Sequence, residues 1–199
     1  MINRKGIFIN FEGIDKSGKG TQIELLKQKL TALSYDFIDS SEPTRDSEAG
    51  RRIWRILEKK EQAPSAEELQ LLYSEDRAHH VRDFIEPAIE QTILVEDRYF
   101  FSTLAYGVAF GVDYQLLKNA NNGFPIPDLT FYIKISAQEA MRRLQLENGE
   151  AEYFEKEEKL LRIKEAYETV LKDWPNVVII DGERSPEEIA NDIWQRPKQ

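Results

Sequence analysis

Gly13-Ile14-Asp15-Lys16-Ser17-Gly18-Lys19-Gly20-Thr21 follows directly on an apolar run at 7–11. It opens a segment in which Ile23, Leu26, Leu30 and Leu33 recur every three or four positions. The run has the length of a β-strand, and the periodic segment is a helix with one apolar face for packing on a sheet. Between them, two glycines five positions apart followed by Lys19 match a phosphate-binding loop. Glycines let the backbone curl until successive amide N–H groups of residues 13–20 point into one concavity. The helix N-terminus adds its positive dipole, and Lys19 reaches the outer phosphates. The pattern predicts a bound nucleoside triphosphate. In its strict form, Ser or Thr stands where this chain has Gly20, and that hydroxyl would hold Mg2+; metal ligation at this position is therefore left open.

Further apolar runs of strand length occur at 35–38, 92–95, 129–135 and 177–180, separated by segments of helical period. This alternation predicts a parallel five-stranded α/β sheet flanked by helices. Ser65 with Glu68, Ser136 with Glu139, and Ser185 with Glu188 have capping-box spacing and mark three helix starts, the last with Pro186 at the first helical position. Pro125 and Pro127 break the chain before the fourth strand. There is no internal repeat or linker, and residues 1–199 are expected to form one domain. The polar stretch around 147–158, with six glutamates and Lys156, is expected to be a lid-like excursion or else a solvated helix face.

The composition narrows the chemistry. With 41% hydrophobic residues the chain can build a core, and with no cysteine it has neither disulfides nor a thiolate zinc site, so any metal must use mainly oxygen ligands. The first residues carry too short an apolar run for a signal peptide, and no run is long enough to span a bilayer. A soluble, cytoplasmic protein is expected. A net charge of −9 argues against a protein that coats nucleic acid, so anionic ligands must meet locally placed cations.

Several such cations fall where strands end. Asp97-Arg98-Tyr99 follows the third strand, at the carboxyl edge where parallel sheets bind ligands. Asp97 could orient Mg2+ or take a proton from the acceptor, and Arg98 could clamp a phosphate bidentately. Arg45, in Glu42-Pro43-Thr44-Arg45, lies in the loop after the second strand and could grip the same phosphate. Tyr73 and Arg77, four apart, share a helix face. They could stack on and hydrogen-bond to a base, or be a ring over core beside a solvated cation. His79 and His80, the only two histidines, are expected at the surface.

Taken together, 11–19, 73–77, Asp97 to Tyr106 and Pro127-Asp128-Leu129-Thr130 resemble thymidylate kinases, in order and spacing over nearly the whole chain. The resemblance implies a three-layer P-loop kinase fold with a short lid, ATP and Mg2+ as cofactors, dTMP as acceptor, and a homodimer. It implies ATP phosphates on Gly13, Ile14, Asp15, Lys16, Ser17, Gly18, Lys19, Gly20 and Thr21, with Arg143 stacked near adenine. Asp15 would bond the sugar 3′-OH, and Arg45 and Arg98 the dTMP phosphate. Tyr73 would stack on thymine, Arg77 reach its exocyclic oxygen, Ser102 and Thr103 line the pocket, Tyr106 crowd the place of a 2′-OH, and Tyr153 lie near the sugar. Lys16 occupies the loop position from which family members present a cation to the moving phosphoryl group, as Lys in place of the usual Arg. Gly20 is matched in adenylate kinases, and Tyr73 replaces the usual Phe. On this reading Lys16, Lys19, Asp97 and Arg98 carry the chemistry, with Asp97 the metal residue. The alternatives are a kinase for another nucleoside monophosphate and a nucleotide-binding relative that has lost catalysis.

Overall fold

The computed structural model describes residues 6–148 and 153–196, with the side chains of 145–148, 153–156 and 173 left aside. Five parallel strands, β1 (Phe8–Glu12), β2 (Phe37–Ser41), β3 (Ile93–Asp97), β4 (Leu129–Lys134) and β5 (Val177–Asp181), lie in the order β2-β3-β1-β4-β5. The central strand pairs Phe11 with Asp97 on one side and Phe131 on the other, and it is buried on both faces. Connections leave β1 toward β2 and β3 on one flank and reach β4 and β5 on the other. The switch in direction therefore falls at the carboxyl end of β1, where such sheets open a crevice for ligand.

Helices cover both faces. α1 (Lys19–Ala32) and α9 (Pro186–Gln195) lie against each other and seal one face through Leu26, Leu30, Ile189 and Ile193, packed with Phe11, Val95, Phe131 and Ile180. The second face carries α5 (Phe100–Ala109), α7 (Ala137–Asn148) and α8 (Tyr153–Val170), whose Phe101, Leu104, Met141, Ile163 and Tyr167 pack with Phe8, Leu94 and Tyr132. α2 (Glu48–Leu57) packs against α3 (Ala66–His80), and α3 runs through a widened turn, Val81–Ile85, into α4 (Glu86–Ile89). α6 (Tyr114–Ala120) follows α5. The two apolar layers on one sheet are what the strand–helix alternation predicts.

Some local expectations shift. Leu33 is not on the buried face of α1: it is 49% exposed, and the helix ends one residue before it. Ser34 adopts a left-handed conformation (φ 57°), with Tyr35 N–H bonded to the Leu30 carbonyl and Ser34 N–H to that of Thr31, a Schellman closure. That closure delays β2 to Phe37. Of the three expected capping boxes only Ser185–Glu188 is reciprocal. Ser65 and Ser136 accept the expected N–H of Glu68 and Glu139, but those carboxylates turn away to Arg52 and to Arg142 and Arg143. The stretch 147–158 is helical where described, closing α7 and opening α8; residues 149–152, and the side chains of Tyr153 and Lys156, lie outside the described residues.

Candidate active site

The loop from Gly13 to Gly18 bends between β1 and α1 as the sequence requires. Gly13 has φ 154°, and a Cβ there would stand 2.6 Å from Ser17 Oγ and 2.7 Å from the Ile133 carbonyl. Gly18 has φ 98° and forms the N-cap of α1. Lys16 also takes a left-handed backbone (φ 65°), an unfavourable choice for a residue with a Cβ that the loop imposes. Gly20 is different: nothing lies within 4 Å of a Cβ built on it, so neither curvature nor crowding demands glycine there. Gly20 and Thr21 are exposed in the first turn of α1, while Ile14 is buried and anchors the loop.

Lys19 Nζ lies 3.4 Å from the Gly13 carbonyl oxygen, and Arg98 Nη1 lies 3.1 Å from the same atom. Two cations, one from the start of α1 and one from just after β3, thus converge on one carbonyl. Burial, followed by the neighbouring Arg98 charge, lowers the Lys19 ammonium to about 8. Asp97, Asp15 and Glu12 oppose that shift and keep the group from falling further.

Arg98 is set by its backbone as well as its side chain. Its φ is 71°, and its N–H donates to the Phe11 carbonyl at 3.0 Å, turning the chain sharply out of β3. Nη1 reaches Ser102 Oγ (3.2 Å) and the Tyr167 hydroxyl (3.4 Å), and Nη2 reaches Asp15 Oδ1 (2.6 Å). Tyr106 lies under the guanidinium, 5.5 Å from ring centre to Cζ, and its hydroxyl donates to Asp15 at 3.4 Å. Burial holds the Tyr106 phenol well above its ordinary range, and it pushes Tyr73, whose hydroxyl senses the charges of Arg98 and Asp15, up to about 12. Both rings therefore stay neutral on the rim of this crevice.

Of the two readings open for Arg77, a base contact or a solvated cation, the solvated cation does not hold. It is 1% exposed. Nε and Nη2 donate to Glu42 (2.7 and 2.6 Å), and Nη1 donates to Thr103 Oγ1 (3.1 Å) and Asn121 Oδ1 (2.6 Å). His80 is likewise buried rather than at the surface, stacked on Phe84 with Nδ1 3.2 Å from Glu42 Oε1 and 3.9 Å from Glu96 Oε1; only His79 is exposed. Burial and then the Glu42 charge raise the Glu96 carboxyl well above the ordinary range. Glu42, His80 and Glu96 offer ligand-type atoms within 4.8 Å of one another. The guanidinium already seated on Glu42 supplies that cluster with a cation, and a second one would be repelled.

Arg45 stays apart from these residues. It lies over the Trp54 ring at 4.0 Å and pairs with Glu58 at 3.1 Å, its side chain 60% exposed. The loop that carries it is held from below by Asp76, which accepts from Thr44 N–H, Thr44 Oγ1 and Ser47 Oγ. Arg143 comes from α7, with Nη1 on the carbonyls of Lys16 and Ser17, Nη2 on that of Gly182, and Nε on Glu139. Its N–H groups are thus taken up by the phosphate loop, Gly182 and Glu139, which leaves a flat face for stacking.

Two unpartnered buried oxygens near the loop suit a hard divalent ion. Asp97 Oδ1, at the end of β3, and Ser17 Oγ, in the loop, are buried and have no hydrogen bond among the described residues. Oxygen donors of this kind fit Mg2+. Four residues that matter here were not singled out from the sequence as site residues: Glu12, Glu42, Asn121 and Tyr167. Glu12 and Glu42 stand inside the quoted motifs, and a charged residue within a strand run or beside a proline is a usable signal. Asn121 and Tyr167 have none, because their partners lie far along the chain.

A phosphate-binding loop, an arginine across one carbonyl from its lysine, and an acidic strand end on a parallel sheet define a P-loop phosphotransferase. Residues 11–193 match the thymidylate kinase family model. The chain is 36% identical over 194 residues to a protein of Pyrococcus horikoshii described as a probable thymidylate kinase, covering 95% of this chain and 94% of that one. It is 34% identical over 201 residues to the thymidylate kinase of Desulfotalea psychrophila, covering 100% and 98%. The structure of thymidylate kinase from Candida albicans superposes with a TM-score of 0.79 over 96% of this chain and 90% of the other; at 23% identity it supports the fold. The chain belongs to the thymidylate kinase family.

Proposed function

We infer that this chain, by family a phosphotransferase acting on dTMP, uses ATP as donor and holds both substrates at the carboxyl edge of its sheet. The observation that carries the reading is the convergence of Lys19 and Arg98 on the Gly13 carbonyl. One cation belongs to a loop shaped for triphosphate, the other to a strand end suited to a monophosphate, so donor and acceptor phosphates would meet where they must for transfer. An oxygen of the dTMP phosphate attacks the γ-phosphorus of ATP, the bond to the β–γ bridging oxygen breaks, and ADP leaves with that oxygen. Main-chain N–H groups of residues 13–20 and Lys19 hold the donor, Lys16 meets the charge on the moving group, and Arg98, joined by Arg45, holds the acceptor. A phosphate monoester is already largely dianionic at neutral pH, so Asp97 has no proton to remove and serves to orient Mg2+. Mg2+ bound there would neutralise charge on the β- and γ-phosphates.

Around the base, Tyr73 stacks, Arg77 and Thr103 form the pocket floor, and Asp15 and Tyr106 face the sugar; Ser102 acts through Arg98. Arg143 offers its face to adenine. The family resemblance supports a homodimer, and the absence of any helix long and apolar enough to cross a membrane, among the described residues, fits a cytoplasmic enzyme.

An ADP-release assay with ATP, Mg2+ and each of dTMP, dUMP, UMP, CMP, AMP, GMP and thymidine tests this. Turnover with dTMP should exceed that with every other acceptor, and thymidine, which leaves Arg98 without a phosphate, should give none. Turnover with thymidine comparable to dTMP would remove Arg98 from the acceptor site.

A further inference from the structure

Beneath Arg98 lies a closed triangle of oxygens. Ser102 Oγ and the Tyr167 hydroxyl each stand on Glu12 Oε2, at 2.7 and 2.8 Å, and 2.8 Å from one another. Glu12 is fully buried in the central strand and Tyr167 in α8, 155 positions away. The two hydroxyl protons serve the sides of this triangle and neither points at Arg98, so lone pairs of Ser102 and Tyr167 accept from Arg98 Nη1 at 3.2 and 3.4 Å. Glu12 Oε1 meanwhile accepts the Tyr99 N–H at 2.9 Å, bracing the backbone next to the left-handed Arg98. The Tyr167 ring is stacked on Tyr132 (5.1 Å) and edge-on to Tyr106 (6.3 Å), so its hydroxyl has no room to swing away. Burial, followed by the Glu12 charge, pushes the phenol well above its ordinary range, and it keeps the proton it donates.

The consequence appears in how the guanidinium is used. Nη1 is fastened to Gly13, Ser102 and Tyr167, and one N–H of Nη2 points at Asp15. Nε makes no hydrogen bond among the described residues, so the Nε–Nη2 edge is the one available for a two-point grip on phosphate. Which edge faces out is decided by the triangle beneath.

We propose that Glu12 and Tyr167 are positioning residues for the acceptor arginine: the buried carboxylate orients the Tyr167 and Ser102 hydroxyls as acceptors, and these lock the Arg98 edge that meets the acceptor phosphate. The proposal rests on the reading that Arg98 holds the dTMP phosphate. Neither residue touches the substrate, so removing the Tyr167 hydroxyl should affect only what depends on that phosphate.

Calorimetric titration of the full-length Tyr167→Phe enzyme with dTMP and with thymidine provides the test. Tyr167→Phe keeps the packed ring. It is expected to weaken dTMP about tenfold, the usual order for a hydrogen bond to a charged group. Thymidine affinity and the KM for ATP should stay unchanged, and Glu12→Gln should act in the same direction. In an Arg98→Gln background, Tyr167→Phe should have no further effect on dTMP. An unchanged ratio of dTMP to thymidine affinity in Tyr167→Phe, while Arg98→Gln lowers it, would overturn the positioning role alone. A ratio that Arg98→Gln also leaves unchanged would overturn the role of Arg98 together with it.

Discussion

Arg98 and Arg45 are both expected on one acceptor phosphate, yet the fold builds them in opposite ways. Arg98 has a strained backbone, a side chain 20% exposed, and one nitrogen fastened to three oxygens from three segments. Arg45 is 60% exposed, rests on Trp54 and pairs with Glu58 on the protein's rim. A braced guanidinium loses little freedom when a ligand arrives, whereas an exposed one must give up both its partner and its rotamers. In the role proposed for both, the same residue type would therefore be worth different amounts, and the difference lies in what stands behind it.

Three experiments sharpen or break that contrast. The largest effect is expected from Arg98→Gln, which should lower kcat/KM for dTMP by about 10²- to 10³-fold, as loss of a buried charge-stabilising donor does in other enzymes. Arg45→Gln should cost only about tenfold and lose most of that effect in high salt, since an exposed cation is screened. Steady-state kinetics at two ionic strengths would decide, and equal losses for the two variants would abolish the distinction.

The smallest effect concerns pH. Burial, and then the charge of Arg98, hold Lys19 near 8, and phosphate binding favours the ammonium. ATP affinity should therefore be flat below about 8 and fall as pH rises above it. In Arg98→Gln the fall should begin at higher pH, because a cation that lowers the Lys19 value has been removed. Titration of ATP binding between pH 7 and 10 measures this, and an identical onset in the two proteins would show that the inner cations do not sense each other.

Residues 7–21 make the fold legible, because strand, loop and helix there are each decided by neighbours in sequence, and Gly13 and Gly18 occupy left-handed positions a motif can announce. What spacing could not show is what lies beneath. Arg77 reads as either a base contact or a solvated cation until Glu42, Thr103 and Asn121, from three other segments, enclose it. His80 reads as surface because it follows exposed His79, but the widened turn after α3 and the ring of Phe84 bury it. Tyr167 carries no local signal, and only the folded chain brings its hydroxyl to Glu12. Local pattern locates groups that face the ligand, while the groups that aim them are set by tertiary contact.

Arg143 joins the Lys16 and Ser17 carbonyls of the phosphate loop to Gly182 after β5 and to Glu139 on its own helix. In thermodynamic terms this riveting moves an entropy cost in time. The groups that fix the loop all belong to the chain itself, so much of its ordering is met on folding, and more of a nucleotide's interaction energy remains as affinity.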